Sequence, residues 1–167
     1  MFIEDNQALQ NDQLQQLFTK IRDRKINFYF SENAALAHDN GFHFCCEILD
    51  RNGKKSDEYS FFEMLLIYIL EKNNLKLKNI FRISLNVTFY NGFIFEVPLH
   101  TDHQFPHKQL LLYLNNSSGD TVIPSINKSI TPEENKAIIF DGIEHKHFFP
   151  DKGIRMVCVF TFNLSDE

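Results

Sequence analysis

A chain of 167 residues is long enough to bury one sizeable core and short for two, so a single domain is expected. Hydrophobic residues at 43%, with 18 Phe and no Trp, exclude a disordered chain. A formal net charge of −5, with no run of Lys or Arg longer than a pair, lacks the footprint of a phosphate-backbone binder and disfavours nucleic acid as a partner.

Near the start, Met1-Phe2-Ile3-Glu4-Asp5 has no basic region followed by an apolar stretch, so no leader is expected. Leu14, Leu17, Phe18 and Ile21 fall on one stripe of an amphipathic helix that should cover a sheet. Segments 27–30 and 42–49 look extended, and Asp50-Arg51-Asn52-Gly53 has turn chemistry. A second helix is predicted from about Asp57 to Asn73, with Ser56 as cap and Phe61, Phe62, Leu65, Leu66 and Ile69 at helical spacing. The most apolar segment, 61–70, contains Glu63 and is too short to span a bilayer. Cys45, Cys46 and Cys158 make an odd set without metal-site spacing; they are expected to pack as reduced thiols in a cytoplasmic protein without membrane contact.

From Ile80 the character changes. Short runs rich in β-branched and aromatic residues alternate with Gly, Pro and Asn at 80–90, 93–101, 108–115, 120–124, 127–131, 136–140, 143–149 and 154–163. Eight strands at that spacing suggest a mostly β domain with flanking helices and a jelly-roll core, a double-stranded β-helix of the cupin-like kind. The whole chain, 1–167, reads as one domain: 1–79 provides helices and flanking strands, and 80–164 the core.

The chemistry sits in that second half. His100 and Asp102 flank Thr101 at a predicted strand end, and residues i and i+2 of an extended chain share a face, so both side chains can meet one metal. A lone pair of this kind is common. His145 and His147 follow at a later strand, and Arg155 opens the apolar run Met156-Val157-Cys158-Val159-Phe160. Two imidazoles and one carboxylate form a facial triad that leaves positions open for Fe(II) oxygen chemistry. An arginine on a buried face needs an anion, and its planar fork suits a carboxylate; a strand-end arginine reaching solvent is the ordinary alternative.

In this order, His100-x-Asp102, His145 and Arg155 resemble the Fe(II)/2-oxoglutarate-dependent dioxygenases, particularly the prolyl-4-hydroxylase-like branch. Tyr90, ten residues before His100, lies in Phe89-Tyr90-Asn91-Gly92, where that branch often has a tyrosine facing the co-substrate. Leu112-Tyr113-Leu114-Asn115 is similar to its Tyr-Leu-Asn strand. Ser118-Gly119-Asp120-Thr121 is similar to its Gly-Gly-Glu-Thr turn, with Ser118 for the first Gly and Asp120 for Glu. The likeness runs from about Arg82 to Phe162; the N-terminal half resembles small bacterial and phage members only through its helices and its Phe/Tyr-rich extended segments.

The resemblance implies Fe(II) held by His100, Asp102 and His145, with His147 as the alternative third ligand. His145 is preferred because its spacings of five to Pro150 and ten to Arg155 match the family's arrangement better. It also implies 2-oxoglutarate chelated at the metal, with its far carboxylate on Arg155 and Tyr113 and with Tyr90 nearby. O2 would be the other co-substrate and ascorbate a candidate reductant. The implied reaction is hydroxylation of a substrate C–H bond, with succinate and CO2 as products, on a prolyl or other residue of a peptide or protein. A nucleic-acid demethylase is disfavoured, because the second arginine of the base-repair branch is here Thr161. His103 and His107 are expected at the rim or in solvent, while His38 and His43 carry no motif. Two other classes fit the same residues: a zinc-dependent hydrolase using the His/Asp/His set, and a non-catalytic cupin-like ligand-binding barrel. The hydrolase leaves Arg155, Tyr90 and Tyr113 without a purpose, while the barrel would keep the architecture.

Overall fold

The computed structural model describes residues 1–165. In its first half, β1 (Phe2–Asp5) is followed by α1 (Asn11–Arg22), β2 (Tyr29–Ser31), β3 (His43–Asp50), β4 (Gly53–Lys54) and α2 (Tyr59–Lys72). Helix α1 buries Leu14 and Leu17 and rests Phe18 and Ile21 on the same core, as its spacing requires. Its start is held by a capping box between Gln10 and Gln13. Helix α2 has no exposure at Phe62, Leu65, Leu66, Ile69 or Leu70. At about 1.5–3 kcal/mol for each buried side chain, this stripe rather than intrinsic propensity holds the helix. Its N-cap is Glu58, not Ser56: the Ser56 hydroxyl accepts the Glu58 N–H at 3.1 Å in a preceding turn, which delays the helix by two residues relative to the expected start at Asp57. The turn at 50–53 is present, with Asp50 Oδ1 accepting the Asn52 N–H at 2.7 Å and Gly53 at φ 111°.

The second half continues with β5 (Leu77–Phe89), β6 (Lys108–Tyr113), β7 (Thr121–Ile123), a short 3-10 turn Pro124–Ile126, β8 (Lys128–Ile130), β9 (Ala137–Asp141), β10 (Lys146–His147) and β11 (Ile154–Leu164). These form two antiparallel sheets. The larger runs β1-β9-β6-β11-β5-β3-β2, with β4 added to β3, and the smaller runs β10-β7-β8. This is the expected mostly β jelly roll with flanking helices. Two details differ from the sequence reading. Segment 93–101 is not a strand; it touches its neighbour through the isolated bridges Glu96↔Phe148 and His100↔His145, with Pro98, which has no N–H to donate, between them. Strand β1, pairing Phe2 with Phe140 through Asp5 with Ala137, was not anticipated, because four residues carry too little periodicity.

Alternation along the central strands divides the interior in two. Leu110, Leu112, Cys158, Phe160 and Phe162 face the helices in the main core. Leu111, Tyr113, Val157 and Val159 face the smaller sheet, meeting Ile123 and Ile130. Because β11 is buried on both faces, it reads as a continuous apolar run, and its polar members stand out.

Candidate functional site

Between the sheets lies a cavity of about 280 Å³. Its floor is Leu111, Val157 and Val159. It is lined further by His100, Asp102, His145 and His147, by Arg155, and by the inner face of β2, β3 and β5.

The backbone pairs His100 with His145 through reciprocal N–H to carbonyl bonds of 3.0 and 2.9 Å, setting their rings 4.6 Å apart. Each imidazole binds through Nδ1 to the carbonyl two residues before it, Pro98 at 2.8 Å and Ile143 at 3.0 Å. That bond fixes the tautomer and leaves Nε2 as a lone-pair donor, the arrangement in which imidazoles hold metals. His145 Nε2 stands 3.8 Å from Asp102 Oδ2 and 3.3 Å from the Gln109 amide. Asp102 gives its other oxygen, Oδ1, to Arg82 Nη2 at 2.7 Å. Oδ2 is buried and has no hydrogen-bond partner among the described residues.

Burial alone would raise the Asp102 carboxyl, but the charges of Arg82, His145 and His100 overcome it and hold the group at about 2. His145 is pushed down to about 4, chiefly by burial, so it is neutral near pH 7. A buried carboxylate oxygen without a hydrogen-bond partner, 3.8 Å from an imidazole nitrogen and beside a second imidazole, is a donor set that suits a divalent cation. Among the described residues, no three His, Cys, Asp or Glu side chains yet stand close enough together to enclose one.

His147 lines the cavity as well. Burial lowers its pKa well below the ordinary imidazole value, and the neighbouring Arg155 lowers it further. Arg155 itself is 2% exposed. It donates through Nε to the Gly119 carbonyl at 3.0 Å and through Nη2 to Thr121 Oγ1 at 2.9 Å. Thr121 Oγ1 also accepts from the Tyr113 hydroxyl at 2.8 Å, and the guanidinium lies 5.5 Å from the Tyr113 ring. Gly119 has φ 92°, and a Cβ there would meet the Phe148 carbonyl oxygen at 2.5 Å, so only glycine brings this acceptor in. Arg155 forms no salt bridge among the described residues. A buried guanidinium held by neutral acceptors carries an uncompensated charge that an anion would complement.

The structure therefore gathers His100, Asp102, His145, His147 and Arg155 around one cavity, with Tyr113 packed behind Thr121. It does not bring Tyr90 there: that side chain is 45% exposed just beyond β5, where its N–H donates to the Gly153 carbonyl. His103 and His107 are not at the rim. His103 is buried between Arg51 Nη2 at 2.9 Å and Thr161 Oγ1 at 2.8 Å and stacks on Phe105; His107 packs edge-on against it. Phe81 and Phe105 close over this pair, and that long-range packing leaves no mark in local spacing. The three cysteines are free and buried, as expected.

Sequence reasoning missed Arg82, Gln109, Thr121 and Thr88; Thr88 is 2% exposed, with its hydroxyl unpartnered among the described residues. A signal for two of them existed. Arg82, Ser84, Asn86 and Thr88 alternate with Ile83, Leu85 and Val87, which marks one polar and one apolar face on β5.

The two sheets form a double-stranded β-helix, and solved structures of 2-oxoglutarate and Fe(II) oxygenases share this fold. No protein-family model and no curated protein sequence matches the chain. An oxidoreductase of the 2OG-Fe(II) oxygenase family from Burkholderia pseudomallei superposes with a TM-score of 0.72 at 12% identity, over 97% of this chain and 84% of its own. A Pseudomonas putida prolyl-4-hydroxylase gives 0.61 at 15% identity, over 97% and 92%. A non-haem α-ketoglutarate-dependent epimerase from nogalamycin biosynthesis gives 0.63 at 8% identity, over 96% and 76%. At these identities the shared property is the fold. Among the described residues, no helix is long and apolar enough to cross a membrane.

Proposed function

We propose that this protein is an Fe(II)- and 2-oxoglutarate-dependent dioxygenase, with His100, Asp102 and His145 as metal ligands and Arg155 as the anchor for the far carboxylate of 2-oxoglutarate. The observation that carries the reading is Arg155: a buried guanidinium without an ionic partner among the described residues, lining the same cavity as two imidazoles whose Nδ1 atoms are committed to backbone carbonyls and a carboxylate with one oxygen that accepts no hydrogen bond. A dicarboxylate with a keto group beside one end is a ligand that answers both ends of such a cavity.

His145 is preferred over His147 as third ligand because its Nε2 faces Asp102 and its ring faces His100, whereas His147 lies toward Arg155. When bound, Fe(II) supplies the activation of O2, coupled to oxidative loss of CO2 from 2-oxoglutarate and formation of succinate. The chain's own residues supply the rest. His100 and His145 hold their protons on Nδ1, so that Nε2 is free without a proton-transfer step. Arg82 turns Asp102 so that one oxygen faces the imidazoles. Arg155 and Thr121 fix the co-substrate's far end, and the apolar floor excludes water beside it.

The substrate C–H bond we assign to a residue of a peptide or protein, hydroxylation being the outcome seen in the prolyl hydroxylase of the same fold. Titration of the Mn(II)-loaded protein with 2-oxoglutarate, followed by a succinate assay with Fe(II), tests the reading. Binding that disappears in Arg155→Ala supports it, and absence of binding removes it. Binding without succinate formation would favour a non-catalytic barrel.

A further inference from the structure

The wall made by β2, β3 and β5 differs in character from the apolar floor of the cavity. Three strands present their inner faces there, and every cavity-facing side chain they contribute is polar or a thiol: Tyr29 and Ser31 from β2, His43, Cys45 and Glu47 from β3, and Ser84 and Asn86 with their neighbours from β5. The aromatic members of the same strands, Phe30, Phe44 and Phe89, point to the other face, where Phe30 and Phe44 meet edge to face at 5.7 Å and Phe44 tilts against Phe89 at 5.9 Å. Strand alternation has thus turned the apolar platform away from the cavity.

Among these groups Glu47 is the exception in charge. It is only partly exposed, its cross-strand partner is Ser84, and it forms no ion pair among the described residues. The nearby cation on this wall, Arg82, gives Nη2 to Asp102, and its Nε has no hydrogen-bond partner among the described residues. The groups beside Glu47 bring no positive charge: Tyr29 and Cys45 are neutral, with both pKa values raised chiefly by burial. A carboxylate inside a concave site keeps a field that attracts a cation and costs desolvation unless one arrives.

We propose that this wall binds the cationic, hydrogen-bonding end of the substrate, an amine or guanidinium carried on an amino-acid side chain, with Glu47 as its counter-charge and the Ser and Asn side chains as its hydrogen-bonding frame. The inference rests on the dioxygenase reading above and narrows its substrate: the residue hydroxylated is basic, since the wall carries a carboxylate without an ion pair among the described residues. The cavity volume suits one side chain beside the co-substrate, so recognition is of a single residue.

The experiment uses the full chain loaded with Mn(II) and 2-oxoglutarate for binding, and with Fe(II) for turnover. The probes are the N-acetyl amides of lysine and arginine, their neutral analogues norleucine and citrulline, and proline. Affinity for 2-oxoglutarate is measured in the same samples. The cationic probes are expected to bind about tenfold or more tightly than the neutral ones and to raise succinate formation; Glu47→Gln is expected to erase that preference, and Glu47→Lys to transfer it to N-acetyl-glutamate amide. Equal binding of lysine and norleucine probes, or a cation preference that survives in Glu47→Gln, overturns the proposal while leaving the dioxygenase intact. A Glu47→Gln variant that loses metal affinity without changing probe preference also overturns it, because Glu47 would then serve Arg82. Failure of wild-type protein to bind 2-oxoglutarate removes the dioxygenase reading and this inference together.

Discussion

Arg82 Nη2 meets Asp102 Oδ1 at 2.7 Å, joining the middle of β5 to the segment that follows His100. The pair leaves Asp102 one defined rotamer and one free oxygen. Groups that orient metal ligands typically contribute 10–100-fold to metal affinity. Arg82→Gln is therefore expected to weaken Mn(II) binding by about 10–100-fold, and Arg82→Lys, which keeps the charge but not the planar fork, to recover part of the loss. Calorimetric titration with Mn(II), alongside thermal melts of the metal-free protein, separates this from a purely structural role. Lowered stability with unchanged Mn(II) affinity would show that the ion pair serves folding only.

That pair also marks the limit of what could be read in the chain. His100, Asp102, His145 and Arg155 could be singled out because each is a chemically distinctive residue in or beside an extended segment, where alternation says which neighbours share its face. The jelly roll was legible from strand spacing, and α1 and α2 from apolar stripes. Arg82 was overlooked although the polar-apolar alternation of β5 placed it on the same face as Thr88. Its partner Asp102 lies 20 residues away, and no local rule pairs them. Tyr90 shows the converse error: its place in a family-like motif suggested the cavity, but β5 ends at Phe89 and the following residues leave the sheet. Thr121 was quoted within a turn but given no task, because its bridging of Tyr113 and Arg155 depends on β7 crossing to the smaller sheet.

The two late histidines separate by function. His145→Ala removes the imidazole facing Asp102 and His100 and is expected to weaken Mn(II) binding by on the order of 100-fold, as loss of a ligand does. His147→Ala should leave Mn(II) affinity within about threefold and act instead on 2-oxoglutarate affinity, since its ring lies toward Arg155. Titrating each variant first with Mn(II) and then with 2-oxoglutarate gives both numbers, and the reverse ranking would transfer the ligand role to His147.

Acid should loosen the fold well before the carboxylates protonate. His43 and His147 titrate below the usual 6.5, and His103 and His145 are depressed to about 4. In each case burial is the largest cause. Between about 4 and 6.5 the unfolded chain binds more protons at these sites than the folded one. Their contribution is therefore complete above 6.5 and lost as pH falls toward 4. Asp102, held at about 2 against a usual 3.8, acts in a lower window: its contribution is full above 3.8 and lost as pH falls through 2. Urea midpoints of the metal-free protein are expected to be level above pH 6.5 and to fall steadily toward pH 4. His103→Gln should flatten part of that slope, and a midpoint constant across the interval would contradict the burial of these imidazoles as neutral groups.

The sharpest test of the anion site replaces Arg155 by methionine. Without ligand, the native guanidinium is a buried charge supported only by the Gly119 carbonyl and Thr121 hydroxyl, so removing it trades two hydrogen bonds for relief from desolvation. Thr121 keeps its bond from Tyr113. The metal-free Arg155→Met protein is thus expected to melt at or above the wild-type temperature. Hydrogen bonds to charged groups contribute about 1.5–3 kcal/mol each, so losing a two-point carboxylate contact should weaken 2-oxoglutarate binding by on the order of 100-fold or more. Wild-type protein with Mn(II) and 2-oxoglutarate at a hundred times its dissociation constant gains about 2.7 kcal/mol of stability by mass action, and the variant at the same concentration should gain little. Thermal melts with and without 2-oxoglutarate read both effects at once. A variant that melts far below wild type would make Arg155 a structural residue, and one stabilised by 2-oxoglutarate as strongly as wild type would place the carboxylate elsewhere.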